Sequence, residues 1–151
     1  MHVRTLAKKS WMKFRTLSNR EIRLEILPSR YPMRSRSQSK SVGQYNLGRM
    51  LRTIYGSQAI ILEEFGIPEE RLFVDFYLPH HSLAFEFQGT QHDEFNKFFH
   101  GDKAGFNKSK ARDDRKRSWC EMNSITLIEV RETITSDQLR DLIQSSRVDD
   151  E

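Results

Sequence analysis

Cysteine is nearly missing from this chain. Cys120 stands alone among 151 residues, which excludes an intrachain disulfide. It also excludes a Cys/His zinc framework, which takes about four such ligands at short spacings. Long apolar runs are missing as well: nothing approaches the roughly 18 residues that cross a bilayer. There is no signal-peptide core, so a cytoplasmic rather than a secreted or membrane protein is expected. Acids are absent from the first 20 residues, which carry Arg4, Lys8, Lys9, Lys13, Arg15 and Arg20. That composition resembles a mitochondrial presequence, but the apolar spacing is poor and the basicity runs on to Lys40, which argues against targeting.

What is present is charge, unevenly divided. Residues 1–40 hold 11 Lys and Arg against two Glu, whereas residues 41–151 hold 14 against 19 acids, within a formal net charge of +4. This divides the chain into a basic N-terminal arm or linker (1–40) and an acidic body (41–151). A basic arm attracts a polyanion, most often nucleic acid, and an acidic body suits an enzyme that gathers carboxylates around a cation. Mutual neutralisation of arm and body is the plainer alternative. Ten Phe and two Trp are enough for one modest core.

The pattern along the chain predicts a short helix around Trp11 and Phe14, then a strand over 22–27 that ends at Pro28. Residues 29–41, SRYPMRSRSQSKS, read as a linker or extended contact arm. Ser41 and Gln44 have capping-box spacing. Leu47, Met50, Leu51 and Ile54 follow helical spacing up to Gly56, predicting a helix over 42–55. Strands are predicted over 59–65, 72–78, 83–88 and 124–130. The second and third of these are joined as a hairpin through Pro79-His80-His81-Ser82, with both histidines exposed. A long loop is expected over 89–106, a polar helix over 107–122, and a last helix capped by Ser136 and running to about Gln144. From residue 41 the order is helix, three strands, helix, strand, helix: an α/β fold with a mixed sheet.

Chemistry concentrates in the predicted hairpin. Side chains two apart on a strand share a face, so Asp75 in LFVDFYL lies with Phe73 and Tyr77, and Glu86 in LAFEFQ lies with Gln88. An acid in mid-strand costs free energy unless it is compensated or faces water. Two such acids on neighbouring strands can converge, and converging carboxylates repel unless a proton or a cation lies between them. Hard oxygen ligands with some water suit Mg²⁺.

The stretch VDFYLPHHSLAFEFQGTQH resembles the catalytic hairpin of the PD-(D/E)xK, or restriction-endonuclease-like, nucleases: an Asp, about ten residues, then E-x-Q in place of E-x-K. With Asp113-Asp114-Arg115-Lys116, Trp119-Cys120 and the strand SITLIEV following, it is most similar to the branch of very-short-patch repair enzymes, EDxHD homing endonucleases and small phage nucleases. The resemblance spans roughly residues 41–132. It implies a restriction-endonuclease-like core and a Mg²⁺-dependent endonuclease acting on DNA, with Mn²⁺ as a substitute. The implied setting is a phage-infected or nucleoid-bearing cell. It also implies that Asp75 and Glu86 carry the metal, that Gln88 takes the usual lysine position, and that His92, Asp113 and Lys116 are catalytic.

Gln44 stands where the branch often has Glu, so Glu64 or Glu63 is the candidate third carboxylate. Gln88 is neutral, so Lys116 or His92 must do what lysine does elsewhere. The expected phosphate contacts are Arg30, Arg34, Arg36 and Lys40 of the arm and Lys108, Lys110, Arg112 and Arg115 of the polar helix, although a merely solvated helix face fits equally. Cys120 reads as a packed residue. The alternatives are a DNA-binding protein that does not cut, an RNA-directed enzyme, and a subunit of a larger assembly anchored through Trp11, Phe14 and Tyr31. Double-strand cleavage would require a homodimer or two binding events.

Overall fold

A computed structural model describes residues 10–89, 103–131 and 133–149. Its first element follows a period of two, not of 3.6. Strands β1 (Ser10–Arg15) and β2 (Glu21–Ile26) form an antiparallel hairpin that pairs Met12 with Leu24 and Phe14 with Ile22. The even-numbered side chains turn inward and Trp11, Lys13, Arg15 and Arg23 turn out. The expected helix around Trp11 and Phe14 is therefore a strand. What decides it is a tertiary contact: Phe14 is buried against Phe65, Tyr77 and Trp119, with ring centroids 5.5–6.2 Å away.

The next segment is tied down along its length. A single 3₁₀ turn spans Pro28–Arg30, and Tyr31 stacks on Phe65 at 5.2 Å. The Tyr31 carbonyl accepts the Glu63 N–H, and the Arg34 N–H donates to Glu63 Oε1 at 2.6 Å. Residues 10–34 thus add apolar and hydrogen-bonded contacts to the body. Phe14 and Tyr31 serve packing, which leaves Trp11, 58% exposed beneath the Arg23 guanidinium, as the outward aromatic of that predicted trio.

Helix α1 (Val42–Tyr55) begins at Ser41, whose Oγ accepts the Gln44 N–H at 3.0 Å. It ends at Gly56, where φ is +96° and a side chain would be strained. Its buried stripe is Gln44, Leu47, Gly48 and Leu51. The four-stranded sheet has the order β3 (Leu62–Gly66), β4 (Phe73–Leu78), β5 (Leu83–Phe87), β6 (Thr126–Val130). The first two pairings are antiparallel and the last is parallel. A parallel neighbour needs a crossover, which contains helix α2 (Lys103–Met122). Helix α3 (Ser136–Asp149) follows β6. The fold is mixed α/β.

Alternation along β4 and β5 divides the interior. Phe76, Leu78, Leu83 and Phe85 join Leu47, Leu51, Leu139 and Ile143 in one cluster, formed with α1 and α3. Tyr77 and Ala84 join Phe14, Ile26, Phe65 and Trp119 in another, formed with the hairpin and α2. Each buried Phe or Leu in these clusters contributes about 2–3 kcal/mol. Helix α2 starts at Lys103, so the expected loop over 89–106 is already helical in its last residues. Residues 90–102, His92 among them, lie outside the described residues. The cap of α3 is Thr135 rather than Ser136. Its Oγ1 accepts the Gln138 N–H at 3.1 Å while Gln138 Oε1 accepts the Thr135 N–H at 2.9 Å, a complete capping box. The helix runs on past Gln144.

Candidate functional site

The sheet register brings the acids together. Pairing on either side sets Asp75 level with Glu64 on β3, and the β4–β5 register continued by one residue sets it level with Glu86. Regular pairing is missing at this row, and side chains take over the main-chain donors. The Asp75 N–H donates to Glu86 Oε2 at 2.9 Å, and the Phe87 N–H donates to Asp75 Oδ2 at 2.8 Å. Each acid is therefore held by backbone from the neighbouring strand. Both are buried, at 3% and 5% exposure.

Two ammonium groups balance them. Lys116 of α2 donates to Glu86 Oε1 at 2.7 Å. Lys40, just ahead of α1, lies 3.1 Å from Asp75 Oδ1 and 3.4 Å from Glu64 Oε1. Burial and the Asp75 carboxylate push Glu86 up to about 8, against the pull of Lys116. Burial acts to lower Lys40, but Asp75 and Glu64 outweigh it and leave the ammonium raised. The rise at Glu86 reflects a buried carboxyl facing a second carboxylate with one ammonium bonded to it.

Glu64 shares the Lys40 ammonium with Asp75. Its φ of +53° is left-handed, costly for a residue with a β-carbon. Its carboxylate goes to Lys40 and, at 3.3 Å, to Gln44 Nε2. Gln44 also donates to the buried Glu63 at 2.8 Å. That accounts for a glutamine at this place: its side chain bridges two acids of β3 while its main-chain N–H is capped by Ser41. Among the described residues, no three His, Cys, Asp or Glu side chains form a group able to hold a metal. Glu63 is satisfied by Arg34 and Gln44.

The acids open into a cleft of about 760 Å³ lined in part by Lys40, Gln44, Gln88, Asp113, Lys116 and Arg131. Asp113 lies one helical turn before Lys116 on the same wall. Gln88 lies near Glu129, whose carboxyl is held low mainly by Arg117. Arg117 grips Glu129 with two bonds, at 2.6 and 3.0 Å, and so clamps α2 onto β6. This fork fixes the helix that delivers Lys116. Arg115 is paired with Glu70 and serves the fold rather than the cleft. Lys108, Lys110 and Arg112 are exposed on the same helix, and Arg30 and Arg36 are exposed ahead of α1. Arg34 enters through its main chain. Lys40, expected among the arm's phosphate contacts, lies on the carboxylates of Asp75 and Glu64. Only its place directly before the Ser41 cap could have signalled that. Burial pushes the Cys120 thiol up to about 12, consistent with a packed residue.

No family model matches the chain, and no solved structure matches it. Two virus proteins are similar to part of it. Uncharacterized protein 307L of Invertebrate iridescent virus 6 is 41% identical over 63 residues, which is 42% of this chain and 32% of that protein. Uncharacterized protein 033L of Invertebrate iridescent virus 3 is 40% identical over 68 residues, 45% of this chain and 35% of that protein. The matched region spans about a third of each relative's length. No helix among the described residues is long and apolar enough to cross a membrane.

Proposed function

We propose that this chain is a metal-dependent endonuclease of the PD-(D/E)xK type that hydrolyses DNA phosphodiesters, its sheet with α1 and α2 being a restriction-endonuclease-like core. The observation that carries the reading is the meeting of Asp75 and Glu86 in one open cleft, each fixed by a main-chain N–H, with Lys116 on Glu86. Asp75 and Glu86 are the residues that would hold Mg²⁺. The donor set fits: this ion takes one or two carboxylates and fills its remaining positions with water and phosphate oxygens. When bound, it would offset phosphate charge and ease deprotonation of the attacking water.

The chain's own residues do the rest. Lys116 holds Glu86 in place and sets positive charge beside the reacting phosphate. In the reaction a water oxygen bonds to phosphorus and the bond to the leaving sugar oxygen breaks. The water gives up one proton and the leaving oxygen gains one. Asp113 lies on the cleft wall as a candidate to orient that water, and His92 is a second candidate by resemblance alone. Lys108, Lys110 and Arg112 grip flanking phosphates without reading sequence. Both relatives are virus-encoded, which favours a virus-infected cell as the setting; action as a homodimer or within a larger assembly belongs to the same proposal.

The test is incubation of the chain with supercoiled plasmid in Mg²⁺, Mn²⁺ or EDTA, beside Glu86→Ala. Nicking that needs the metal and is lost in the variant supports the reading; equal nicking by both refutes it. A DNA-binding protein that does not cut is the alternative, favoured by one observation: the residue on the cleft wall at the expected lysine position is the neutral Gln88. Binding that is salt-sensitive, indifferent to EDTA and never accompanied by nicking would select it.

A further inference from the structure

The two ammonium groups on the carboxylates are not equivalent. Lys116 comes from α2, its side chain is 16% exposed, and it is committed to Glu86. Lys40 comes from the segment ahead of α1, and its side chain is 51% exposed. Its ammonium has three N–H donors. Asp75 and Glu64 stand within reach of two of them, and the head group opens on the cleft. Lys40 is therefore the cation that touches the carboxylate row and also faces solvent.

Its position is also prearranged. Ser41, the next residue, is locked as the cap of α1, and Ser39 is held in a turn by Ser35. The preceding stretch is anchored where Arg34 meets Glu63. A lysine on a free arm would spend conformational entropy on reaching the site, about 1–2 kcal/mol for each backbone residue ordered. Lys40 has already met that cost in the fold. Gln88, also on the cleft wall, carries no charge to compete with it.

We propose that Lys40 is the substrate-facing cation of this site, donating its remaining N–H to a non-bridging oxygen of the scissile phosphodiester while Asp75 and Glu64 hold the ammonium in place. This rests on the phosphodiesterase reading above and deepens it. Negative charge on those oxygens must be offset as the phosphoryl group transfers, and a cation already fixed in a cleft does so without reorganising. The role differs from that of Lys108, Lys110 and Arg112, whose exposed side chains act on affinity.

The test is steady-state cleavage of a fluorescently labelled duplex oligonucleotide in Mg²⁺ and Mn²⁺ by the full chain, Lys40→Ala and Lys40→Arg. In Lys40→Ala, kcat is expected to fall about a hundredfold or more, with KM moving less than about threefold. Added methylammonium should restore part of the Lys40→Ala rate and leave the wild type unchanged, and Lys40→Arg should keep more activity than Lys40→Ala. An unchanged kcat, or a loss confined to KM, would overturn the proposal. So would a loss that neither methylammonium nor arginine relieves, since that marks support of the fold alone. Failure of the wild-type chain to cut in either metal would remove the nuclease reading itself, and this proposal with it. A cutting wild type with an indifferent Lys40→Ala removes this proposal only.

Discussion

Replacing Lys116 with Met keeps the volume of the side chain and deletes the ammonium that sits 2.7 Å from Glu86 Oε1. The consequence depends on pH because Glu86 has an alternative to ionisation. Its folded-state value lies near 8, raised from 4.5 by burial and by Asp75. The folded state thus binds a proton that the unfolded state has already lost, and stability declines as pH climbs from about 4.5 to 8. Removing Lys116 takes away the force that restrains this rise, so the Glu86 value climbs further and the decline continues past 8. Below that point both proteins carry a neutral Glu86 and the variant loses only a hydrogen bond, about 1 kcal/mol. Above it they diverge by roughly 1.4 kcal/mol per pH unit. Urea unfolding in EDTA should then give a gap of about 1 kcal/mol near pH 6.5 and about 3 kcal/mol near pH 9.5. A gap that is constant across this range would refute the raised value of Glu86, because its ionisation would then lie outside the interval.

Other perturbations separate stability from activity. Asp75→Asn removes the charge that opposes ionisation of Glu86, so plasmid nicking should vanish while the thermal midpoint in EDTA at alkaline pH stays level or rises. A clear fall in that midpoint would contradict the repulsion inferred here. Gly43→Ala would put a β-carbon 2.0 Å from Phe87 Cε2 where α1 crosses the end of β5. The ring must move, and a lower urea midpoint worth about 1–3 kcal/mol is expected despite the better helix propensity of alanine. Changing Lys108, Lys110 and Arg112 together to Gln should flatten the salt dependence of DNA binding by up to about three phosphate contacts, with a slope change near 0.9 each. In the same variant kcat should be nearly unchanged, and a collapse of kcat would move those residues into the reacting centre.

The body of the fold was legible because its elements are local. Helix 42–55 follows from a capping serine, a 3.6-residue apolar period and a terminal glycine. The strand pair carrying Asp75 and Glu86 follows from strict alternation across a short turn, and its register needs only the tightness of that turn. The last helix was found but its cap was displaced by one residue, since Thr135 and Ser136 are equally able caps and the side chain of Gln138 chooses between them.

Residues 10–40 show the opposite case. Their net charge described a free basic arm, and charge says nothing about packing. WMKF fits a weak helix or a strand, and the choice falls to Phe14, which fills a gap among Phe65, Tyr77 and Trp119 contributed by three distant segments. Lys40 is the sharpest instance. By sequence it is one cation among the eleven of residues 1–40, and only the return of the chain along β3 lays its ammonium on Asp75 and Glu64. Glu64 itself lay two residues from Leu62 on a predicted strand, yet a left-handed turn of its backbone directs its carboxylate to Lys40 and Gln44. The sequence by itself determined which residues form helices and strands in the body and which two acids share a hairpin, since those depend on spacings of a few residues. The tertiary structure alone decided which cations balance the acids and which partners hold each carboxylate. Those outcomes depend on contacts between segments tens of residues distant, whose approach no local period records.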